Sequence, residues 1–189
     1  MFMGFLCCRH KIVEEQLLTD IQKDQNPFRG YEKIIYYAGD STIVFTGTGR
    51  NNWTEEYDVD ENYCEYGLIE FDKLKYNGNS FSISLNMQES KYYDLTIGDT
   101  VTDYYFCTRL IIDKTDGSIS NYDELIEKLY VNNIPYFNIY KDTLDGNYLT
   151  IDMPDSIKHA TYLYYSTKYG IVKFDFSDGS TWELKEIVW

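Results

Sequence analysis

From Gly30 onward the chain is a succession of short runs of Ile, Val, Tyr and Phe, each closed by turn residues. This punctuation constrains the fold most, because β-branched and aromatic runs separated by Gly, Asn and Asp specify an antiparallel sheet. Residues 33–37 and 42–45 flank Ala38-Gly39-Asp40-Ser41. Residues 67–76 and 80–87 flank Asn77-Gly78, a dipeptide that accepts the positive φ of a tight hairpin turn. Phe81, Ile83, Leu85 and Met87 alternate with Ser80, Ser82, Ser84 and Asn86, which gives that strand one buried and one wet face. Residues 101–113 read as a long strand ending at Asp116-Gly117, and residues 136–141 and 148–152 surround Asp145-Gly146. Residues 160–166, 170–176 and 181–188 form a closing meander with its last turn at Asp178-Gly179.

One segment carries a different period. Tyr122, Leu125, Ile126, Leu129 and Tyr130 recur at helical spacing. Asn121 is placed to cap such a helix with Glu124 reaching back, and Asn132-Asn133 and Pro135 would end it. The expectation is a mainly β protein, an antiparallel curved sheet or barrel of about ten strands with one amphipathic helix packed on it. With no repeat of fixed period and no internal linker, residues 27–189 read as a single β-rich domain. Residues 11–25 are polar apart from Val13, Leu17 and Ile21, spaced four apart, which predicts a short helix or tether stopping at Asn26-Pro27.

Residues 1–8 are apolar and run into Cys7 and Cys8, followed by Arg9, His10 and Lys11. The stretch is far short of the ~18 residues that cross a bilayer, and no basic region precedes it. It resembles the back end of a bacterial lipoprotein signal, where an apolar stretch meets a cysteine that is lipidated after cleavage. That resemblance implies that residues 1–26 are a signal remnant and lipid-anchor tether with Cys8 as the acceptor, preceded by the small Cys7. The plain alternative is an ordinary N-terminus with two incidental thiols. Cys64 and Cys107 lie in aromatic, strand-like segments and read as buried core thiols rather than a bridge.

Charge narrows the partners. Lys and Arg total 17 against 31 Asp and Glu, a formal net charge of −14. Nucleic-acid binding needs cationic side chains to displace phosphate counterions, so no nucleic acid is expected. An anionic membrane surface is repelled for the same reason, leaving membrane contact only through a lipid anchor. A basic protein is attracted, chiefly by faster encounter, although an acidic surface also simply keeps a protein soluble.

The motifs that suggest chemistry fail on inspection. Asp58-Val59-Asp60-Glu61-Asn62 opens like a calcium loop, but Tyr63 stands where the sharp turn needs glycine and Ile69 where a bidentate glutamate belongs. The segment reads as a solvated acidic loop. Gly47-Thr48-Gly49 lacks the helix that a phosphate-cradling loop requires, and Asn52-Trp53-Thr54 is a sequon without meaning in a bacterial host. No Cys/His ligand spacing exists, so no metal and no cofactor are expected. His10 and His159 are the only histidines, and His159 reads as a strand-end or surface residue rather than a catalytic base. The 31 acids make some close carboxylate pair inevitable, so their abundance does not identify a glycosidase. No catalytic residue is expected.

The 20 tyrosines are the most unusual feature. Doublets occur at 36–37, 92–93, 104–105 and 164–165, and adjacent strand residues face opposite sides, so each doublet aims one ring outward. Outward rings supply stiff, amphipathic contact area, which makes Tyr36, Tyr93, Tyr104 and Tyr164 candidate binding residues. Cross-strand pairing of rings that merely stabilises the sheet is the competing explanation.

The closing segment, Tyr164-Tyr165-Ser166-Thr167-Lys168-Tyr169-Gly170 through Asp178-Gly179-Ser180-Thr181-Trp182, is similar to the last hairpin of many small uncharacterised lipoproteins from Bacteroidetes-type bacteria. The Asn26-Pro27-Phe28 lead into a Tyr/Ile strand and the cysteine near the start fit the same pattern. The resemblance implies a β-rich body at the cell envelope, outer membrane or periplasm, and brings no active site. The functional expectation is a non-catalytic, lipid-anchored binding module that takes a protein, small-molecule or glycan partner on a tyrosine-rich face. An acidic immunity protein covering a basic toxin and a carbohydrate-active enzyme are the alternatives, and a cytoplasmic location is the alternative to the envelope.

Overall fold

Nearly every apolar run becomes a strand of one sheet. The computed structural model describes residues 10–59, 64–79, 81–89, 93–101, 104–146 and 158–189. In chain order the elements are β1 (Lys11–Gln16), α1 (Asp20–Lys23), β2 (Lys33–Ala38), β3 (Ser41–Asp58), β4 (Glu65–Asn77), β5 (Phe81–Glu89) and β6 (Tyr93–Val101). There follow β7 (Tyr104–Ile112), β8 (Ile119–Ser120), β9 (Glu124–Val131), β10 (Ile134–Thr143), β11 (Asp145–Gly146), β12 (Ala160–Ser166), β13 (Gly170–Phe176) and β14 (Thr181–Val188). The strands run β11-β7-β6-β5-β4-β3-β2-β14-β13-β12-β10-β9 across the sheet, with β1 beside β4 and β8 beside β7. Every described pairing is antiparallel except that of β1 with β4.

The sheet is strongly curved without closing into a barrel. β10 lies beside β12 near one end of the strand order, yet β11, one residue further along the chain, pairs with β7 at the other end. The two ends are therefore brought face to face. A hydrogen bond from the Thr108 hydroxyl on β7 to the Asp142 carboxylate on β10 spans the seam.

The amphipathic helix expected over residues 121–131 is instead the strand β9. Asn132 and Asn133 have φ of 50° and 65°, the paired left-handed conformation of a two-residue hairpin turn, so they join two strands instead of ending a helix. Asn121 has a φ of 59° and cannot adopt the extended backbone of an N-cap, and its side chain donates to the Arg109 carbonyl at 2.8 Å. The ladder from Val131–Ile134 to Glu124–Lys141 overrides the local helical spacing, because tertiary pairing outweighs intrinsic propensity.

The folded body also begins earlier than residue 27. β1 belongs to the sheet, and Leu18, Gln22, Asn26 and Phe28 are all buried. The helix in this region is a single turn, α1, closed by a reciprocal capping box between Thr19 and Gln22. Val13, Leu17 and Ile21, whose spacing predicted a short helix or tether, are exposed. They point outward because β1 and the turn that follows do not share a helical period.

Other boundaries shift less. β3 continues far beyond the short strand expected at 42–45, and Gly47-Thr48-Gly49 lies inside it at a register shift opposite β4. The long strand expected from residue 101 is preceded by β6, which the turn signals did not mark. The strand expected over 148–152 lies outside the described residues, as does most of the acidic loop after Val59.

An aromatic cluster lies in the buried core. Trp182 packs against Phe45, Phe81, Phe174 and Phe176 with ring centroids 4.4–6.3 Å away, and Tyr36 meets Phe45 and Phe174 edge-on. The resulting geometries are those in which ring quadrupoles attract.

Candidate interaction surface

The tyrosines divide by environment. Tyr36 is fully buried, and its hydroxyl donates to the Ile171 carbonyl at 2.9 Å, so it is a core residue rather than a binding ring. The outward member of that doublet is Tyr37. Tyr164 and Tyr165 are both buried, because the ladder to β13 shifts register between them and breaks the inward–outward alternation. The Tyr164 hydroxyl donates to Asp175 at 2.7 Å and that of Tyr165 to the Gln25 carbonyl at 2.6 Å. Tyr93 and Tyr104 occupy the first positions of β6 and β7, opposite Glu89 and Val101. Their side chains lie outside the described residues, as does Cys8.

Several tyrosines serve the sheet itself. Tyr57 covers Gly67, its partner across the β3–β4 ladder, and Tyr105 lies over Gly98 of the neighbouring strand. A methyl group at either glycine would collide with the ring above it. Cross-strand ring-on-glycine packing of this kind shields backbone that a glycine leaves bare.

Two exposed aromatic rings share the β9–β10 hairpin. Tyr130 is 60% and Phe137 58% exposed, with Ile134 at 49% and Leu125 at 45%. Tyr130 pairs with Pro135 and Lys128 with Phe137, so these four side chains stand together on one face of the ladder. The Lys128 ammonium sits over both rings, 4.7 Å from the centre of Tyr130 and 5.6 Å from that of Phe137. The helical spacing of β9 explains the exposure: apolar residues at a period near 3.6 fall on both faces of a strand, and only one face can be buried.

Backbone strain falls in the same place. The described non-glycine residues with positive φ are Asn121, Asn132, Asn133 and Asn138, all on or beside this hairpin. Two of them make the turn. Asn138 lies within β10 with a φ of 53°, which separates the inward Tyr136 and Ile139 by three positions and leaves Phe137 and Asn138 together on the outside. The hairpin is nevertheless fixed, because Asn132 donates from its side chain to the Leu184 carbonyl at 2.8 Å and from its backbone to Glu183 at 3.3 Å. Sequence reasoning missed this surface because its apolar residues matched a helix; the Asn132-Asn133 pair was the signal that could have revealed it.

A polar cleft of about 470 Å³ opens at the seam of the sheet, lined among others by Arg109, Tyr122, Asp123, Asp142 and Asp145. Burial, reinforced by the charge of Asp123, raises the Asp142 carboxyl to about 6. Its oxygens accept from the Thr108 hydroxyl and the Asp123 backbone, while Asp123 accepts from the Thr143 hydroxyl at 2.5 Å. The Thr108 bond ties β7 to β10, and the other two tie the segment before β9 to β10.

The remaining sequence candidates are structural. His159 is half-buried just before β12, its ring stacked on Phe106 at 4.4 Å. Cys64 is disulfide-bonded and Cys107 is a free, half-buried thiol, so the pair of core thiols expected at these positions does not exist and the two do not bridge each other. Among the described residues no group of three or more His, Cys, Asp or Glu could hold a metal ion, and no helix is long and apolar enough to cross a membrane. Compared with known proteins, the chain matches no family model, no curated protein and no solved structure.

Proposed function

We propose that this chain is a non-catalytic binding module of the cell envelope that engages a protein partner through the outer face of the β9–β10 hairpin. The carrying observation is that face: two aromatic rings more than half exposed, standing with Lys128 between them on a hairpin that Asn132 ties to β14. Aromatic side chains on a fixed scaffold lose little entropy on binding and form the energetic centres of interfaces. The net charge of −14 favours a basic partner by accelerating encounter. A disulfide at Cys64 fits an oxidising compartment such as the periplasm.

A photo-crosslinking residue placed at Tyr130 or Phe137 in the native host is expected to yield one discrete adduct. The same residue at Tyr31, which is 77% exposed, is the control. Equal or absent crosslinking at all three positions would reject the reading. The acidic immunity protein is a second reading of this surface, favoured by the same charge; a crosslinked partner that is a basic toxin would select it. The carbohydrate-active alternative draws on the seam cleft, where Asp142 is held at about 6, and would require Asp142→Asn to abolish turnover of a glycan without unfolding the chain.

A further inference from the structure

We propose that the open edge of β9 pairs with β9 of a second copy of this chain, antiparallel and centred on Ile126, to form a two-fold symmetric dimer. β9 is the last strand of the sheet, joined to β10 on one side and, among the described residues, to no strand on the other. The two-residue turn at Asn132-Asn133 fixes which backbone groups are left over. Val131 and Ile134 flank that turn, the position of a hydrogen-bonded pair. The odd-numbered residues of β9 therefore bond to β10, and Glu124, Ile126, Lys128 and Tyr130 turn their N–H and C=O groups outward. The edge is open on both faces, since Glu124, Leu125, Glu127, Lys128 and Tyr130 are all exposed. Such a row of backbone groups is a template for one more strand.

Charge selects the occupant and the register. Two antiparallel copies related by a two-fold axis oppose residues of the same parity, because both members of a pair turn their backbone groups the same way. An axis centred on Ile126 sets that residue against its own copy and each Glu124 against Lys128 of the second copy. Centring on Glu124, Glu127 or Lys128 instead opposes a charge to itself, and centring on Leu125 sets Glu127 against Asp123 of the second copy. The charged groups are available: Lys128 makes no ion pair among the described residues, and the Lys141 ammonium reaches one oxygen of Glu124, at 3.3 Å. Residues 124–141 carry Glu124, Glu127, Lys128 and Lys141, one cation for each anion, so two chains of net charge −14 meet at a neutral element. About six backbone hydrogen bonds across the axis hold the pair, while the exposed ion pairs add little energy and act by rejecting other registers. The pairing uses the strand edge and leaves the Tyr130 and Phe137 rings on the open face, so it goes beyond the partner proposed for that face.

The test is analytical ultracentrifugation of the purified full chain and two charge variants. The parent is expected to show a concentration-dependent equilibrium between monomer and dimer. Glu124→Lys sets lysine against lysine and Lys128→Glu sets glutamate against glutamate, and each should weaken self-association at least about tenfold. Mixing the two variants restores both opposite-charge pairs, so a heterodimer of parent-like affinity is expected from chains that do not pair with themselves. Both side chains are exposed, and circular dichroism checks the fold of each variant before mixing. A second measurement covers a variant that does not fold. In a Cys107→Ser background, Ile126→Cys should oxidise to a covalent dimer, since opposed residues of a hydrogen-bonded pair have Cα atoms about 5.5 Å apart, whereas Leu125→Cys, which faces Glu127, should not. A parent that stays monomeric at its highest soluble concentration, a dimer that neither charge variant weakens, or variants that fail to associate on mixing would overturn the proposal and leave the edge to a strand of a different protein. Association is read with this chain alone, so its outcome is independent of whether the ring-bearing face crosslinks a partner in the host.

Discussion

Tyr36 and Tyr130 have the same side chain and opposite prospects. The Tyr36 hydroxyl is buried against the Ile171 carbonyl, so Tyr36→Phe strands an acceptor in the core and should cost about 1–2 kcal/mol of unfolding free energy. Tyr130→Ser removes an exposed ring and should change stability by less than about 0.5 kcal/mol. Denaturant titration of the two variants separates a structural tyrosine from a free one; equal losses would contradict the division. Asn138 offers a second check. Its φ of 53° suits glycine and is hostile to a β-branched side chain, so Asn138→Gly should be near neutral while Asn138→Val costs about 1–2 kcal/mol. Buried glutamates make a further contrast: burial alone would raise Glu32, but the Tyr76 hydroxyl and the backbone N–H groups of Arg29 and Gly30 outweigh it and hold its carboxyl below the usual range.

The hairpin β9–β10 stands apart as an element. β9 is the edge of the sheet, and its exposed Glu124, Glu127 and Lys128 discourage uncontrolled strand pairing while the rings beside them stay open. Most turns were legible in the sequence, since Asn77-Gly78, Asp178-Gly179 and the Ala38–Ser41 link all carry residues that accept tight-turn geometry. β9 was illegible because a periodicity of 3.6 is a statement about spacing, and spacing does not reveal that a strand rich in Ile, Tyr and Phe lies across a two-residue turn. β6 was missed for a related reason: its Thr, Gly and Asp residues dilute the alternation of Leu95 and Ile97, and the masking residue Gly98 is covered only by Tyr105, which belongs to the next strand. Tyr164 is buried because a register shift defeats the rule that neighbours in a doublet point apart, whereas Tyr36 and Tyr37 obey that rule with Tyr37 as the outward ring.

At the scale of the whole molecule, two opposing sets of carboxylates shape the response to pH. Burial raises Asp99 to about 7 and Asp142 to about 6. The folded chain therefore holds protons that the unfolded chain has released, and stability falls as pH rises from about 4 towards 7, then levels off. Glu32 and Glu70 are held below their ordinary value, so their contribution is present above it and is lost as pH falls through the folded values. The sum places maximal stability on the acidic side of neutrality. Asp99→Asn should flatten the alkaline side of the profile; an unchanged profile in that variant would contradict the assignment. Trp182 is buried among four phenylalanines, and Trp182→Ala should cost about 3–5 kcal/mol.

The double variant Tyr130→Ser, Phe137→Ser, carrying the photo-crosslinker at Lys128 between the two positions, tests the central claim most directly. The account predicts a thermal midpoint within about 2 °C of the parent chain together with loss of the adduct that the Lys128 probe forms in the unsubstituted protein. An adduct that persists in the folded double variant, or a midpoint that collapses because the rings were holding the sheet together, would contradict it.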